Sequence, residues 1–338
     1  MAEGTLIELD GVKTYFVDSG GSSLPLLLIH GSGPGIDGAW SWTPVLPELN
    51  KRYRTIDVDS PGYGESEMLP GVRDTPENVA EHYLKLLDHL GIDRVVAVGH
   101  SRGGRIAVEL SANHPDRVSH LAIVCSGSAA PGGHTSADGK YTPSSLAIVG
   151  FGLDGDPSFE KFKAALITSL YHKELWPDEM LRGRYERFMG RRLDEWVRRM
   201  REFDPLHFYH VEDAERFERK VRGLTMPVMV IAGREDETGP WNKSLPLVEM
   251  VHDVEFHVLD EGKGFADEFI PRAFDRFSRA DDARAAGGTG LGLAIVALIA
   301  EAHGGTAGLA NRDGRGADVW VSLPRERARQ DATLAPSL

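Results

Sequence analysis

Residues 95–108 of this 338-residue chain read Val-Val-Ala-Val-Gly-His-Ser-Arg-Gly-Gly-Arg-Ile-Ala-Val, and no other stretch constrains the fold as much. Four successive apolar residues predict a buried strand, and the apolar spacing that resumes beyond Arg102 is helical. The chain must turn between the two, and Ser101 sits on that turn. Gly99 and Gly103 stand two residues to either side of it, because a serine at the apex of a strained strand-to-helix turn leaves no room there for side chains. The helix N-terminus behind the serine favours developing negative charge. The pattern predicts an exposed hydroxyl set up for nucleophilic chemistry.

The flanking sequence repeats the strand-helix alternation. Thr5 to Leu9 and Lys13 to Val17 predict a hairpin turning at Asp10-Gly11, at the edge of a sheet. Leu24 to Ile29 predicts a buried strand that delivers the chain into His30-Gly31-Ser32-Gly33-Pro34-Gly35. Small residues there let backbone N–H groups point into a cavity, so the amides of Ser32 and Arg102 are expected to form an oxyanion hole. Thr55 to Val58 is the next strand, and Pro76 to Leu90 has helical apolar spacing ended by Gly91. The helix after Ser101 should stop near Asn113, ahead of Pro115, before a strand from Leu121 to Cys125. This alternation predicts an α/β fold with a mostly parallel sheet and helices on both faces.

From Gly127 to Pro205 the alternation fails, which suggests an inserted helical lid with Tyr185, Phe188, Leu193, Trp196 and Met200 lining a pocket. Met226 to Ala232 returns to a buried strand, and Asp236 stands just past it, where the acid of a serine triad belongs in the order Ser, Asp, His. Glu235 competes with it for that role. Glu255 to Leu259 is a further strand. Asp267 to Phe277 and Leu291 to Ala302 read as helices, Asp318 to Leu323 as a strand, and the residues from Pro324 onward as a solvated tail.

Composition narrows the partners. A net charge of −13 argues against a sequence-independent grip on nucleic acid, which needs clustered Lys and Arg. The single cysteine, Cys125, excludes an intramolecular disulfide, and no signal-peptide pattern opens the chain. The apolar runs Leu24 to Ile29 and Leu291 to Ala300 fall far short of the roughly 20 residues that span a bilayer. The expectation is a cytoplasmic protein acting on a small molecule, with no nucleic-acid or membrane partner. A homo-oligomer is compatible with it.

Residues 1 to about 260 resemble the α/β-hydrolases, and among them the meta-cleavage-product hydrolases, which split carbon–carbon bonds in dienoates. Three motifs carry the resemblance: His30 to Gly35, Gly99 to Gly104, and Asp178-Glu179-Met180-Leu181-Arg182-Gly183-Arg184-Tyr185. It implies Ser101 as nucleophile, Asp236 as acid and Arg184 as the arginine that grips the substrate carboxylate, a task suited to a guanidinium fork. Gly31, Gly33 and Trp42 would line the substrate site, and neither metal nor organic cofactor is implied. The chain departs from the family pattern at Trp42 and His100, where asparagine is usual, and at Arg102, where methionine is frequent. The loop that should carry the catalytic histidine reads Asp260-Glu261-Gly262-Lys263-Gly264-Phe265, without one. His257 lies inside the predicted strand ahead of it, Lys263 would need a strongly lowered pKa to act as a base, and only His303 follows.

A second resemblance begins there. Asp260 to Phe265, Phe274-Asp275-Arg276-Phe277, Gly287 to Val296 and His303-Gly304-Gly305 resemble, in order, the glycine and phenylalanine boxes of the C-terminal half of a sensor histidine kinase ATPase domain. That resemblance would put Asp260 against an adenine and the glycines around phosphates. The helix bearing the Mg²⁺-binding asparagine has no counterpart upstream. The chain thus reads as a chimera joined near Val258-Leu259-Asp260, with a hydrolase core in 1–127 and 206–260, a lid in 128–205, an ATPase-like fragment in 261–323 and a tail in 324–338. Three functions follow: a serine hydrolase impaired by the absent histidine, a non-catalytic ligand-binding pseudo-hydrolase, and an ATP-binding fragment.

Overall fold

The computed structural model describes residues 3–132, 158–167, 170, 173–191, 214–236, 239–275, 278, 292–313 and 316–324. Their framework is one ten-stranded sheet in the order β1-β2-β4-β3-β5-β6-β7-β8-β10-β9. The strands are β1 (Thr5–Leu9), β2 (Val12–Asp18), β3 (Pro25–Ile29), β4 (Arg54–Val58), β5 (Val95–His100), β6 (Val118–Val124), β7 (Val228–Gly233), β8 (Val254–Asp260), β9 (Thr306–Asn311) and β10 (Ala317–Leu323). The six from β4 through β3, β5, β6 and β7 to β8 run parallel, while the outer hairpins pair antiparallel. The predicted first hairpin forms, and Asp10 and Gly11 at its turn both have positive φ, as a two-residue primed turn requires.

The helices are α1 (Gly38–Trp42), α2 (Leu46–Leu49), α3 (Pro76–His89), α4 (Arg102–Asn113), α5 (Phe159–Ile167), α6 (Asp178–Arg191), α7 (Ala214–Arg222), α8 (Leu245–Met250) and α9 (Gly292–Ala302). Thr75 caps α3 by accepting the Asn78 N–H, with Pro76 at its first position, and Gly91 turns the chain out with φ 63°. The main core joins α3 and α4 to the sheet through Tyr83, Leu86, Leu87, Ile106 and Leu110, all fully buried, against Leu27, Ile29 and Ile56. Glu109, buried in α4, accepts from Arg105 at 3.0 Å and from Lys220 of α7 at 2.6 Å, and the Arg105 guanidinium lies 3.2 Å over the Phe217 ring. This pairing fixes α7 to α4.

Three expectations need correction. Residues 267–275 do not form a long helix: a single 3-10 turn, Ile270–Arg272, stands there, because Pro271 lacks an N–H and disfavours the helical conformation in the residue before it. The ATPase-like segment is more than a helix and a strand, since β9 and β10 make a hairpin that extends the hydrolase sheet beyond β8. Tyr185 and Phe188 pack with Phe159 and Phe162 inside the apolar cluster of α5 and α6. Leu193, Trp196 and Met200 lie outside the described residues.

Steric contrast between glycines gives the first test. A methyl group on Gly103 would stand 2.6 Å from the His30 carbonyl oxygen and closer still to that of Ile29, both backbone atoms, whereas one on Gly183 in α6 meets nothing within 4 Å. Gly103→Ala is expected to cost about 3 kcal/mol or more, or to yield insoluble protein. Gly183→Ala should raise stability by about 0.5–1 kcal/mol. Urea midpoints of the two variants check both.

Candidate active site

Because the central strands run parallel, the C-terminal ends of β3, β5, β6 and β7 share one edge, and the loops leaving them converge there. Ser101, leaving β5, has φ 52° and ψ −123°, a conformation that costs a non-glycine residue about 1–3 kcal/mol. Its backbone is held from both ends. The N–H donates to Val124 O at 3.0 Å, and the carbonyl accepts from Gly104 N–H at 2.9 Å and from the Ser126 hydroxyl at 2.5 Å. The glycine loop after β3 lies directly against it: a methyl on Gly31 would be 3.0 Å from Ser101 Cβ and 3.2 Å from His100 Nδ1. The Arg102 side chain turns away and donates to Asp74 O and Oδ1, both at 2.9 Å, so its backbone amide is the part that starts the helix beside Ser101.

Asp236 stands beyond β7 with Oδ1 accepting the Gly239 N–H at 2.8 Å. Burial, and then the charge of Asp236, push the Cys125 thiol up to about 11. Burial lowers the pKa of His100, and Asp236 opposes that shift. Glu235, the competing acid, instead accepts the Glu261 N–H at 3.3 Å. Asp236 thus stands at the same edge as Ser101, in electrostatic reach of His100, the residue preceding it.

The histidines divide by their partners. His30 accepts the Ser60 N–H at Nε2 and donates from Nδ1 to Gly31 O at 2.7 Å, and burial holds its pKa down to about 3. Both nitrogens are committed, so His30 props the glycine loop as a neutral ring. His100 meets Trp42 edge-on with centroids 6.5 Å apart. His257 points into the added hairpin, where it bonds Asp318 at 3.0 Å and Glu255 at 2.9 Å and stacks on Trp320. His303 bonds Ile299 O at 2.8 Å at the end of α9. The loop from Asp260 to Phe265 is stitched down by Asp260 to Arg234, Glu261 to Arg312, and Phe265 N–H to Asn311 Oδ1 at 2.8 Å.

α6 brings Arg184 over the glycine loop. Its Nε donates to Pro34 O at 2.9 Å, its guanidinium lies 4.5 Å over the Trp40 ring, and a methyl on Gly33 would stand 3.5 Å from Nη2. Arg184 is 3% exposed, and burial brings its pKa down to about 9, with Asp37 opposing. Among the described residues no carboxylate bonds to this buried cation, a setting that favours an anionic ligand. Trp42 is buried against Leu26 and Leu28 of β3, and its Nε1–H finds no hydrogen-bond partner among the described residues.

Sequence reasoning missed the acidic group behind the loop. Asp59 accepts the N–H groups of Gly38 and Glu65, each at 2.9 Å, while Asp57 Oδ1 is buried without a partner. Burial raises Asp57 to about 8 and Asp59 to about 7, with neighbouring carboxylates adding to both. The two backbone donors favour the ionised form of Asp59 and partly offset its burial, while Asp57 has burial and two neighbouring carboxylates all acting to raise it. The alternation in Thr55-Ile56-Asp57-Val58 was a signal, since a strand buried on both faces holds an acid only if it is neutral or paired. Among the described residues, no group of three or more His, Cys, Asp or Glu could hold a metal ion, and no helix is long and apolar enough to cross a membrane.

Comparison with known proteins places this geometry. The alpha/beta hydrolase fold profile matches residues 25–147, and that of the histidine kinase-, DNA gyrase B- and HSP90-like ATPases matches 242–327. The 2-hydroxymuconate semialdehyde hydrolase of Pseudomonas sp. strain CF600 is 31% identical over 251 residues, covering 74% of this chain and 83% of that protein. The chain belongs to the meta-cleavage-product hydrolases of the α/β-hydrolase fold. A 2-hydroxy-6-oxononadienedioate/2-hydroxy-6-oxononatrienedioate hydrolase of Paraburkholderia phymatum is 30% identical, covering 73% and 83%. Among solved structures, the meta-cleavage product hydrolase CumD of Pseudomonas fluorescens IP01 superposes with TM-score 0.63 at 27% identity, covering 76% of this chain and 89% of that one. The 2-hydroxy-6-oxo-6-phenylhexa-2,4-dienoate hydrolase BphD of Rhodococcus sp. strain RHA1 gives 0.61 at 25%, covering 76% and 92%. The matches account for the hydrolase core and for the ATPase-like C-terminus joined to it.

The buried acids predict a pH dependence. Both folded-state values lie above the ordinary 3.8, so the folded chain holds these protons more tightly than the unfolded chain does. Their contribution is complete below about pH 4 and is lost as the pH rises to about 8. The buried histidines, His30 and His82 among them, act in the opposite sense, so the contrast with a variant isolates the acid: between about pH 5 and about pH 8.5, Asp57→Asn, neutral throughout, should gain urea midpoint relative to the parent as pH rises.

Proposed function

We propose that this chain is a serine hydrolase of small organic carboxylates of the meta-cleavage-product type, slowed by the absence of a histidine from the loop after β8. Ser101 Oγ is the nucleophile, the Ser32 and Arg102 amides receive the oxyanion, Asp236 is the acid, and Arg184 holds the substrate carboxylate. Gly31 and Gly33 give the substrate access, and Trp42 floors the site. The observation that carries the reading is the strained Ser101 beneath a glycine loop on whose other side Arg184 is buried.

In this chemistry Ser101 Oγ adds to the substrate carbonyl and passes its proton to a base, negative charge gathers on the carbonyl oxygen between the two amides, and the tetrahedral species expels its leaving group. Water then releases the acyl group. A site without its base keeps only the roughly 10³–10⁴-fold acceleration of binding and oxyanion stabilisation. A second reading, a ligand-binding pseudo-hydrolase, is favoured by the histidine-free loop tied to Asn311 and Arg312. Binding of ATP draws no comparable support, since β8 lies between β7 and β10 within the hydrolase sheet.

Burst kinetics with a p-nitrophenyl ester separate these readings. The parent should turn over slowly, Ser101→Ala should abolish that activity, and Phe265→His, which puts an imidazole beside Gly264, should raise it by about tenfold or more. Equal rates in parent and Ser101→Ala overturn the enzyme reading, and silence in all three proteins favours the binding fold. For carboxylate substrates, Arg184→Gln should raise KM by about 10–100-fold while neutral esters are unaffected, which steady-state kinetics on paired substrates checks.

A further inference from the structure

We infer that Ser126, backed by Ser128, is a positioning residue that aims the oxyanion-hole amide of Arg102. The inference rests on the reading of Ser101 and Arg102 given above, and it assigns a task to two hydroxyls that this reading leaves unused. The peptide joining Ser101 to Arg102 is planar and trans, so its carbonyl oxygen and its N–H point in opposite directions. Whatever grips the Ser101 oxygen therefore sets where the Arg102 N–H points.

Three groups converge on that oxygen. Gly104 N–H reaches it from within α4 at 2.9 Å, as any helix provides. The Ser126 hydroxyl donates to it at 2.5 Å from the loop after β6, and Ser128 Oγ lies 3.3 Å from the same oxygen and 3.1 Å from Ser126 Oγ. Both serines are buried, at 2% and 6% exposed, so they are not solvating a surface turn. Ser101 holds a strained backbone whose relaxation would swing this peptide, and the hydroxyls oppose the swing from outside the helix. Donation into the carbonyl also polarises the amide, making its N–H a stronger donor.

Two further observations agree with a role for that hydroxyl. Cys125 has φ 45°, one of three non-glycine residues with positive φ among the described residues, and this bend brings Ser126 round toward β5. A methyl on Gly104 would stand 2.6 Å from Ser126 Oγ and 2.7 Å from its Cβ. The glycine after Gly103, which the turn itself does not require, is thus the opening through which Ser126 reaches Ser101.

The test compares the parent, Ser126→Ala, the double variant Ser126→Ala/Ser128→Ala, and Ser101→Ala. Steady-state ester hydrolysis, thermal unfolding and the Arg102 amide proton shift in ¹⁵N-arginine-labelled protein are read for each. Ser126→Ala should lower kcat by about tenfold with KM within about twofold, the double variant by more, and the Arg102 amide should move upfield while the melting temperature holds. An unchanged Arg102 resonance overturns the proposal, whether or not the parent turns over. So does a rate loss that appears as raised KM with a lowered melting temperature, which marks a merely structural role. Turnover retained in Ser101→Ala defeats the nucleophile reading instead, and the Arg102 resonance still reports on the aim of the peptide.

Discussion

The contact on which the rest of this structure depends is the passage of α4 across the end of β3. The carbonyl oxygens of Ile29 and His30 stand where a side chain at residue 103 would have to be, and the backbone of residues 103 and 104 occupies the space a side chain at 99 would need. With glycine at both positions, strand, turn and helix close to backbone contact, and Ser101 is driven into a conformation few residues tolerate. The glycine loop after β3 then comes to lie against the serine, and His30 can brace that loop only because its two nitrogens reach Ser60 and Gly31. Loop, serine and first helical amide form one rigid unit built from backbone.

Much of this was legible because the signals were local. The apolar runs at 24–29, 95–98 and 226–232 mark central strands, although Leu24 and Met229 within them are exposed. Ser101, Asp236 and Arg184 announce themselves by the motifs around them. What escaped was set by tertiary partners. Thr306–Asn311 is half Ala and Gly and carries little strand signal, yet β10 draws it into the sheet. The run 267–277 has a helical apolar pattern, but Pro271 prevails over periodicity. Aromatic spacing in α6 cannot tell a pocket from a lid core, and Tyr185 and Phe188 went to the core. Ser126 and Ser128 sit in an unremarked run of small residues, and only the position of the Ser101 carbonyl gives them meaning.

The second half of the chain adapts to the first at β8. All seven residues of that strand find partners in β10, six of them also align with β7, and His257 bonds residues of β8 and β10 at once. Phe265, Phe269, Ala273 and Leu309 make a small apolar cluster of their own beneath the hairpin. The segment is therefore integrated by backbone pairing and a modest core, and the loop between Asp260 and Phe265 is committed to holding that hairpin in place.

An open sheet has only two margins at which it can grow without disturbing what lies inside, and β8 was one of them. A sequence graft at that margin needs a strand with unused N–H and C=O groups and little else, so architecture tolerates such a recombination event far more readily than chemistry does. Asp236 and Ser101 follow strands one and three places inward of β8, in the backbone settings described above, while the loop that follows β8 is taken up with the hairpin. A segment joined at a sheet edge therefore acts first on the loop that follows the edge strand, and the strands further in keep their pairing whatever the length of the added sequence.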